Sequence, residues 1–283
     1  MAQHQHHVGA AVLVTLLLCV LTPSVQAQGD PTETKRFLDA FISSIPSLKG
    51  LWTGSDYCSY PGVTCDADGY ARIDLSSVAG SDLFSGKLPN IRHLSGVGIQ
   101  VREINMNGMK KITGPFQDTW ARLVNLESLD LSNTGLGGMI PSSWNGMSSL
   151  KNVAISGTKA CKGLPDWTAS SMPQLVSVNF ANNFMGGPLT TVFGTFSDRA
   201  MTLDISGNSF CGCLPSTWTS PALRNAAQLA NPKLLDLSCK LINTCVSKSF
   251  ACTGGDGAAA LSTHSPLLAL FASAAAALAL MCA

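Results

Sequence analysis

The residues of this 283-residue chain best suited to chemistry are its ten cysteines and five histidines. Cys19 and Cys282 lie in apolar ends, which leaves Cys58, Cys65, Cys161, Cys211, Cys213, Cys239, Cys245 and Cys252 between them. A structural zinc site wants paired Cys-x-x-Cys spacings or histidine partners, and Cys211-Gly212-Cys213 is the only close pair. An even number of cysteines in a secreted chain reads instead as disulfides. Cys58 and Cys65 are close enough to clip a loop. Outside the terminal segments the only histidine is His93. A nucleophilic hydrolase would have to be built on it, and no G-x-S-x-G elbow supports one. Paired carboxylates for glycoside cleavage are not singled out by any pattern, because each aspartate in register has a simpler place. No catalytic residue, metal or cofactor is expected.

Both ends differ from the middle. Val8 to Leu21 is apolar and Val25-Gln26-Ala27 has the small-residue pattern of a cleavage site, so 1–27 reads as a secretory signal, although its leading region has His4, His6 and His7 but no Lys or Arg. At the other end, Gly254-Gly255-Asp256-Gly257 is followed by a polar spacer and an apolar tail, Leu267–Ala283. Small cluster, spacer and tail are the parts of a glycosylphosphatidylinositol (GPI) attachment signal at 254–283, with Asp256 the favoured attachment residue over Gly254, Gly255 or Gly257. A transmembrane helix would ordinarily be followed by Lys or Arg. The net charge is +1 and 12% of residues are charged, so nothing points to a nucleic-acid partner.

Between the ends one skeleton recurs. "LDLSNTGLGGMIPSSW" (129–144) returns as "LDISGNSFCGCLPSTW" (203–218), and more weakly at 153–167 and 178–193. Aligned on L-x-x-L-x-L-x-x-N-x-L-x-G-x-I-P, the second leucine position falls at Ile73, Ile104, Leu129, Val153, Val178, Leu203 and Leu235, with central spacings of 25, 24, 25 and 25 residues. This is a leucine-rich repeat. Leu129 and Leu131, two apart, share one side of a short strand, which can bury that side only by stacking on its neighbours. The expected fold is an α/β solenoid with short parallel strands on the concave face. Thr134, Thr158, Asn183 and Asn208 should satisfy backbone groups where the chain leaves the sheet. Gly114, Gly138, Gly187 and Gly212 suit the bend that follows. Trp120, Trp144, Trp167, Phe193 and Trp218 form one aromatic per turn, a core column rather than a ligand row.

The solenoid spans 70–230 and needs caps. Residues 28–69 form the first: Asp30, Pro31 and Glu33 read as a capping-box-like helix start, with Phe37, Leu38, Phe41, Ile42 and Ile45 on one apolar face. Residues 231–253 form a Cys-rich C-terminal cap. There Cys213 and Cys245 share an offset in successive repeats, which predicts a disulfide between them. Cys161 and Cys211 share an offset two repeats apart, roughly 10 Å, which argues against that pair. The partners of Cys161, Cys211, Cys239 and Cys252 stay open.

Between the strand leucines lie Asp74, Asn105, Asp130, Ala154, Asn179, Asp204 and Asp236. The next outward position is small, as at Ser132 and Ser206. This gives a shallow, hydrogen-bonding, mildly acidic concave face. Part of that pattern is simply what a strand needs on its wet side; its functional reading is a docking surface for a protein or a glycan at Asp74, Asn105, Asp130, Asn179, Asp204, Ser132 and Ser206.

"WTGSDYCSYPGVTCDADG" and the Ile-Pro repeats resemble the extracellular repeats of plant receptors and polygalacturonase inhibitors. The whole arrangement, with a signal peptide, a Cys-rich segment and a GPI signal, is more similar to the leucine-rich-repeat promastigote surface antigens of Leishmania and related trypanosomatids. It departs from some members in having no long Thr/Ser/Pro-rich stalk before Cys239. The resemblance implies a non-enzymatic coat protein held on the outer leaflet by its lipid anchor. It also implies attachment to a host cell-surface protein or glycan, with a macrophage complement receptor as one such partner. An inhibitor of a secreted enzyme and a coat antigen without a specific ligand are the other readings.

Overall fold

The computed structural model describes residues 31–235 together with Cys245 and Cys252. Asp30, Asp236, Cys239, Asp256, the signal segment at 1–27 and the anchor segment at 254–283 lie outside the described residues. The chain opens with α1 (Pro31–Ser44), followed by β1 (Val63–Cys65), β2 (Ala71–Asp74), β3 (Val101–Asn105), β4 (Thr113–Pro115), β5 (Ser128–Asp130) and β6 (Gly135–Met139). It continues with β7 (Asn152–Ala154), β8 (Lys159–Lys162), β9 (Ser177–Asn179), β10 (Phe184–Pro188), β11 (Thr202–Asp204), β12 (Ser209–Cys211) and α2 (Pro221–Ala230).

Two sheets result. The first has the order β1-β2-β3-β5-β7-β9-β11, parallel except for the β1–β2 pair. Its Cα register runs Ile73, Ile104, Leu129, Val153, Val178, Leu203, which is the alignment read from the sequence at six of seven positions. The seventh differs: Leu235 ends a 3-10 helix, Pro232–Leu235, and no strand. The second sheet, β12-β10-β8-β6-β4, was not foreseen. Three of its strands carry glycine, as in Gly135–Met139 and Phe184–Pro188, and the other two span only three or four residues, so neither strand propensity nor alternation marks them.

The return legs pass through short 3-10 turns that carry Trp120, Trp144 and Phe193. The aromatic column is fully buried, and each indole N–H finds a carbonyl on the turn before it. Trp144 Nε1 donates to Gln117 O at 2.8 Å and Trp218 Nε1 to Thr190 O at 3.0 Å. Asn183 and Asn208 also act across repeats. Asn208 donates to Phe180 O and Ile205 O and accepts from Met185 N. A fully buried amide would otherwise cost about 1–3 kcal/mol per unmet bond.

Helix α1 covers the start with Phe37, Leu38 and Phe41. The expected capping box starts at Asp30, outside the described residues, but Glu33 has a further role. Its carboxylate accepts from Ser95 N at 2.7 Å and pairs with Arg36, while Thr34 Oγ1 accepts from Gln100 N. These bonds moor the helix to the long first repeat. Helix α2 seals the far end with Leu223, Ala226 and Ala227.

Cys58 bonds Cys65, as expected. The Cys213–Cys245 pairing is overturned: Cys245 bonds Cys211, with Cα atoms 5.3 Å apart. The expected offset was counted from a seventh strand at Leu235, which does not form. Cys213, past the left-handed Gly212, is exposed and is disulfide-bonded itself. Cys161 pairs with Cys252.

The bend glycines hold φ near +90° at Gly114, Gly138 and Gly187 and +82° at Gly212, but in the fourth repeat Lys162 takes that place at φ 69°. A side chain there costs roughly 1–2 kcal/mol. Lys162→Gly should therefore raise stability by about 1 kcal/mol, read as a higher denaturant midpoint at unchanged slope.

Candidate concave binding face

The strands place Asp74, Asn105, Asp130, Ala154, Asn179 and Asp204 side by side in one row, each in register with the next. Their side chains do more than face outward. The Oδ1 atom of Asp74 accepts from Ser76 N, that of Asn105 from Asn107 N, and that of Asp130 from Ser132 N at 2.8 Å. Asn179 and Asp204 do the same for Ala181 N and Ser206 N. Each closes a turn at the strand exit, where the ladder ends and an amide needs an acceptor. Ala154 cannot, and the amide of Ser156 is met instead by Ser132 Oγ from the preceding repeat, at 3.3 Å. The row is thus a set of turn formers whose remaining polar atoms make the face.

Ser132 departs from its expected role. It is only 3% exposed, its hydroxyl turned to Ser156 N, so it is not a contact residue of the surface. Ser206 is half-buried and Asp204 exposed. The second carboxylate oxygen of Asp130 accepts from Asn107 Nδ2, whose own oxygen accepts from Asn133. A lateral chain of hydrogen bonds therefore fixes the middle of the row.

A charged network borders the strand entries and was missed in the sequence. Arg102 pairs with Asp66, Asp68 and Glu127, and Glu127 also with Lys151 at 2.7 Å. The Arg102 guanidinium lies 3.9 Å from the centre of the Tyr70 ring. Arg102, Glu127 and Lys151 all sit two residues before the strand position aligned above, so the repeat register itself held the signal. The amide of Tyr70, helped by Arg102 and the amide of Asp68 and opposed by burial, holds the Asp66 carboxyl below its ordinary 3.8.

His93 lies on an open cleft of about 570 Å³ with Asp39, Ser43 and Ser44. These residue types could form a triad, but Ser43 Oγ donates to the Asp39 carbonyl and the Asp39 carboxylate pairs with Lys35. Among the described residues, no group of three or more His, Cys, Asp or Glu could hold a metal ion.

A family model, Leucine Rich Repeat, matches residues 125–147, one turn of the solenoid. The fold is that of a leucine-rich-repeat ectodomain. Over 157 residues it is 26% identical to surface membrane glycoprotein GP46/M-2 of Leishmania amazonensis, covering 53% of this chain and 27% of that protein. Over 218 residues it is 28% identical to receptor-like protein kinase BRI1-like 3 of Arabidopsis thaliana, covering 72% of this chain and 16% of that one. The match thus spans about a quarter or less of these relatives' own length. Among solved structures, the Arabidopsis receptor kinase HAESA, in complex with the peptide hormone IDA and the co-receptor SERK1, aligns with a TM-score of 0.52 at 27% identity, over 70% of this chain and 32% of that one. Both resemblances read from the sequence, to surface antigens and to plant-type repeats, are present in these matches.

Two expectations follow. Asp204→Ala should cost about 1 kcal/mol, because the preceding repeat offers only Ala181 to the orphaned Ser206 amide, whereas Asn179→Ala should cost less than half of that, since Ser156 can turn its hydroxyl to Ala181 N as Ser132 does one repeat earlier. Urea unfolding of both variants tests the difference. Because the folded pKa of Asp66 is depressed, its contribution to stability is whole above about 3.8 and disappears as pH falls through the lower folded value. Asp66→Asn should flatten that acid limb in an unfolding series against pH.

Proposed function

We propose that this chain is a non-enzymatic cell-surface protein that docks a protein or a glycan of another cell on its concave sheet and is held to its own membrane by a lipid anchor at Asp256. The observation that carries the reading is the concave row itself, six strands wide, with small and polar side chains already fixed by turn hydrogen bonds. A surface whose rotamers are settled before contact loses little entropy on binding. Its flatness suits a broad partner rather than a small molecule, which would want a concave, largely apolar pocket. Support for a protein ligand comes from HAESA, solved with a peptide hormone and a co-receptor, and for a surface location from the glycoprotein relative. Macrophages, and a complement receptor on them, are the host partner that the surface-antigen resemblance suggests.

The test should obstruct the face without breaking its turns. Ser128, Asn152 and Ser177 adjoin in register two residues before Asp130, Ala154 and Asn179. Changing all three to Tyr, which strands accept, raises a wall across the middle of the sheet. Soluble 28–256 should bind macrophages saturably, and the triple variant should lose at least about tenfold in affinity with its melting temperature within about 3 °C. Unchanged binding by a folded variant would remove the concave face from the proposal. An absence of binding by the parent chain would remove adhesion.

A further inference from the structure

One of the disulfides near the C-terminus does not close the end of the solenoid. Cys245 is tied to Cys211 in β12, the edge strand of the second sheet, but Cys252 is tied to Cys161 in β8, the middle one of its five strands. The Cα atoms of Cys161 and Cys252 are 5.5 Å apart. Asp256 is only four residues on from Cys252, and four steps of chain reach at most about 14 Å. An anchor joined at Asp256 therefore leaves the molecule from the middle of its second-sheet flank.

That flank has a distinct chemistry. The register Met139–Cys161–Phe184 runs across β6, β8 and β10, and on either side of the disulfide Met139 is 60% and Phe184 68% exposed. Lys159 and Lys162, at the two ends of β8, are exposed, as are Lys110 and Lys111 just before β4. Gly86 extends the sheet past β4 by pairing with Ile112, and the side chain of the following Lys87 lies along Gly114. Residues 107–115, 133–141, 157–165, 182–188 and 207–215, which hold the five strands, contain no Asp or Glu. Asp118 and Asp166 come only on the return legs. Five of the chain's eleven lysines thus gather on a face without carboxylates. One of them, Lys162, holds the left-handed conformation that four other repeats give to glycine. Strain kept at one repeat of five points to a use for the side chain rather than for the fold.

We propose that the second-sheet flank rests on the headgroup layer of the membrane that carries the chain, with its lysines on lipid phosphates and Met139 and Phe184 dipping between headgroups. The proposal rests on the lipid-anchor reading and adds orientation to it: the solenoid lies on its side, tethered at its middle. The short tether keeps this face near the bilayer, so that each weak contact acts at high effective concentration. Lysines near a phosphate surface and apolar side chains at the boundary are the two terms of interfacial binding.

The full chain, expressed sparsely on cells that attach GPI anchors, would be treated with a membrane-impermeant amine reagent. Labelling before and after release by phosphatidylinositol-specific phospholipase C would be mapped by mass spectrometry. Lys110, Lys111, Lys159 and Lys162 should label about fivefold less on the anchored chain than on the released one. Lys151, at the strand entries of the first sheet, should label alike in both. Release with equal labelling of all these lysines would overturn the docked flank and leave the anchor reading standing. If the enzyme releases nothing, the anchor reading falls and takes the proposal with it. Protection seen only at dense expression would assign the contact to neighbouring copies, and would overturn the membrane as its cause.

Discussion

No turn of this protein can bury its own strand. The lateral pairing of each repeat with the next is the constraint on which everything else depends. Leu129 is covered because Ile104 and Val153 lie beside it in register, and Val153 because Val178 does. The same dependence governs the polar groups. An indole N–H is satisfied one turn back, an asparagine at the strand exit reaches a carbonyl of the preceding repeat, and where Ala154 offers no acceptor the hydroxyl of Ser132 crosses over to replace it. Stability in such a chain is a sum over neighbours. The ends, where one neighbour is missing, are therefore where helices α1 and α2 and the Cys58–Cys65 and Cys211–Cys245 disulfides lie.

The concave row illustrates how a structural demand and a binding surface can share residues. A strand of three residues ends abruptly, and an amide just beyond it wants an oxygen at short range. Asp and Asn supply one from the position that also faces outward. Polar residues in that row are thus required for folding before any partner is considered. What is left for recognition is the regular spacing, the small neighbours and a side-chain set that is already ordered.

Much of this was legible in the sequence. Six strand positions, the aromatic column and the bend glycines follow from a period of about 25 residues, because stacking forces equivalent residues into equivalent places. The Cys58–Cys65 clip follows from proximity. Other features depend on facts that no period carries. Whether Cys211 or Cys213 meets Cys245 is decided by which side of the left-handed Gly212 each lies on, and by a seventh strand that gives way to the turn at Pro232–Leu235. Three strands of the second sheet carry glycine, a residue that announces no strand, and the other two are too short to stand out. Glu33 reads locally as a cap, yet its carboxylate is used by Ser95, 62 residues away.

The bond between Cys161 and Cys252 has a mechanical consequence. Tension arriving along the chain from beyond residue 252 passes covalently into β8, in the middle of the solenoid. It does not travel back through the last repeats. A pull between the membrane and a partner seated over β5, β7 and β9 would be carried across the thickness of the repeats, through buried leucines and tryptophans, rather than along their stack. Helix α2 and the turns before it are spared, so the end that is easiest to unravel is the part that feels least force.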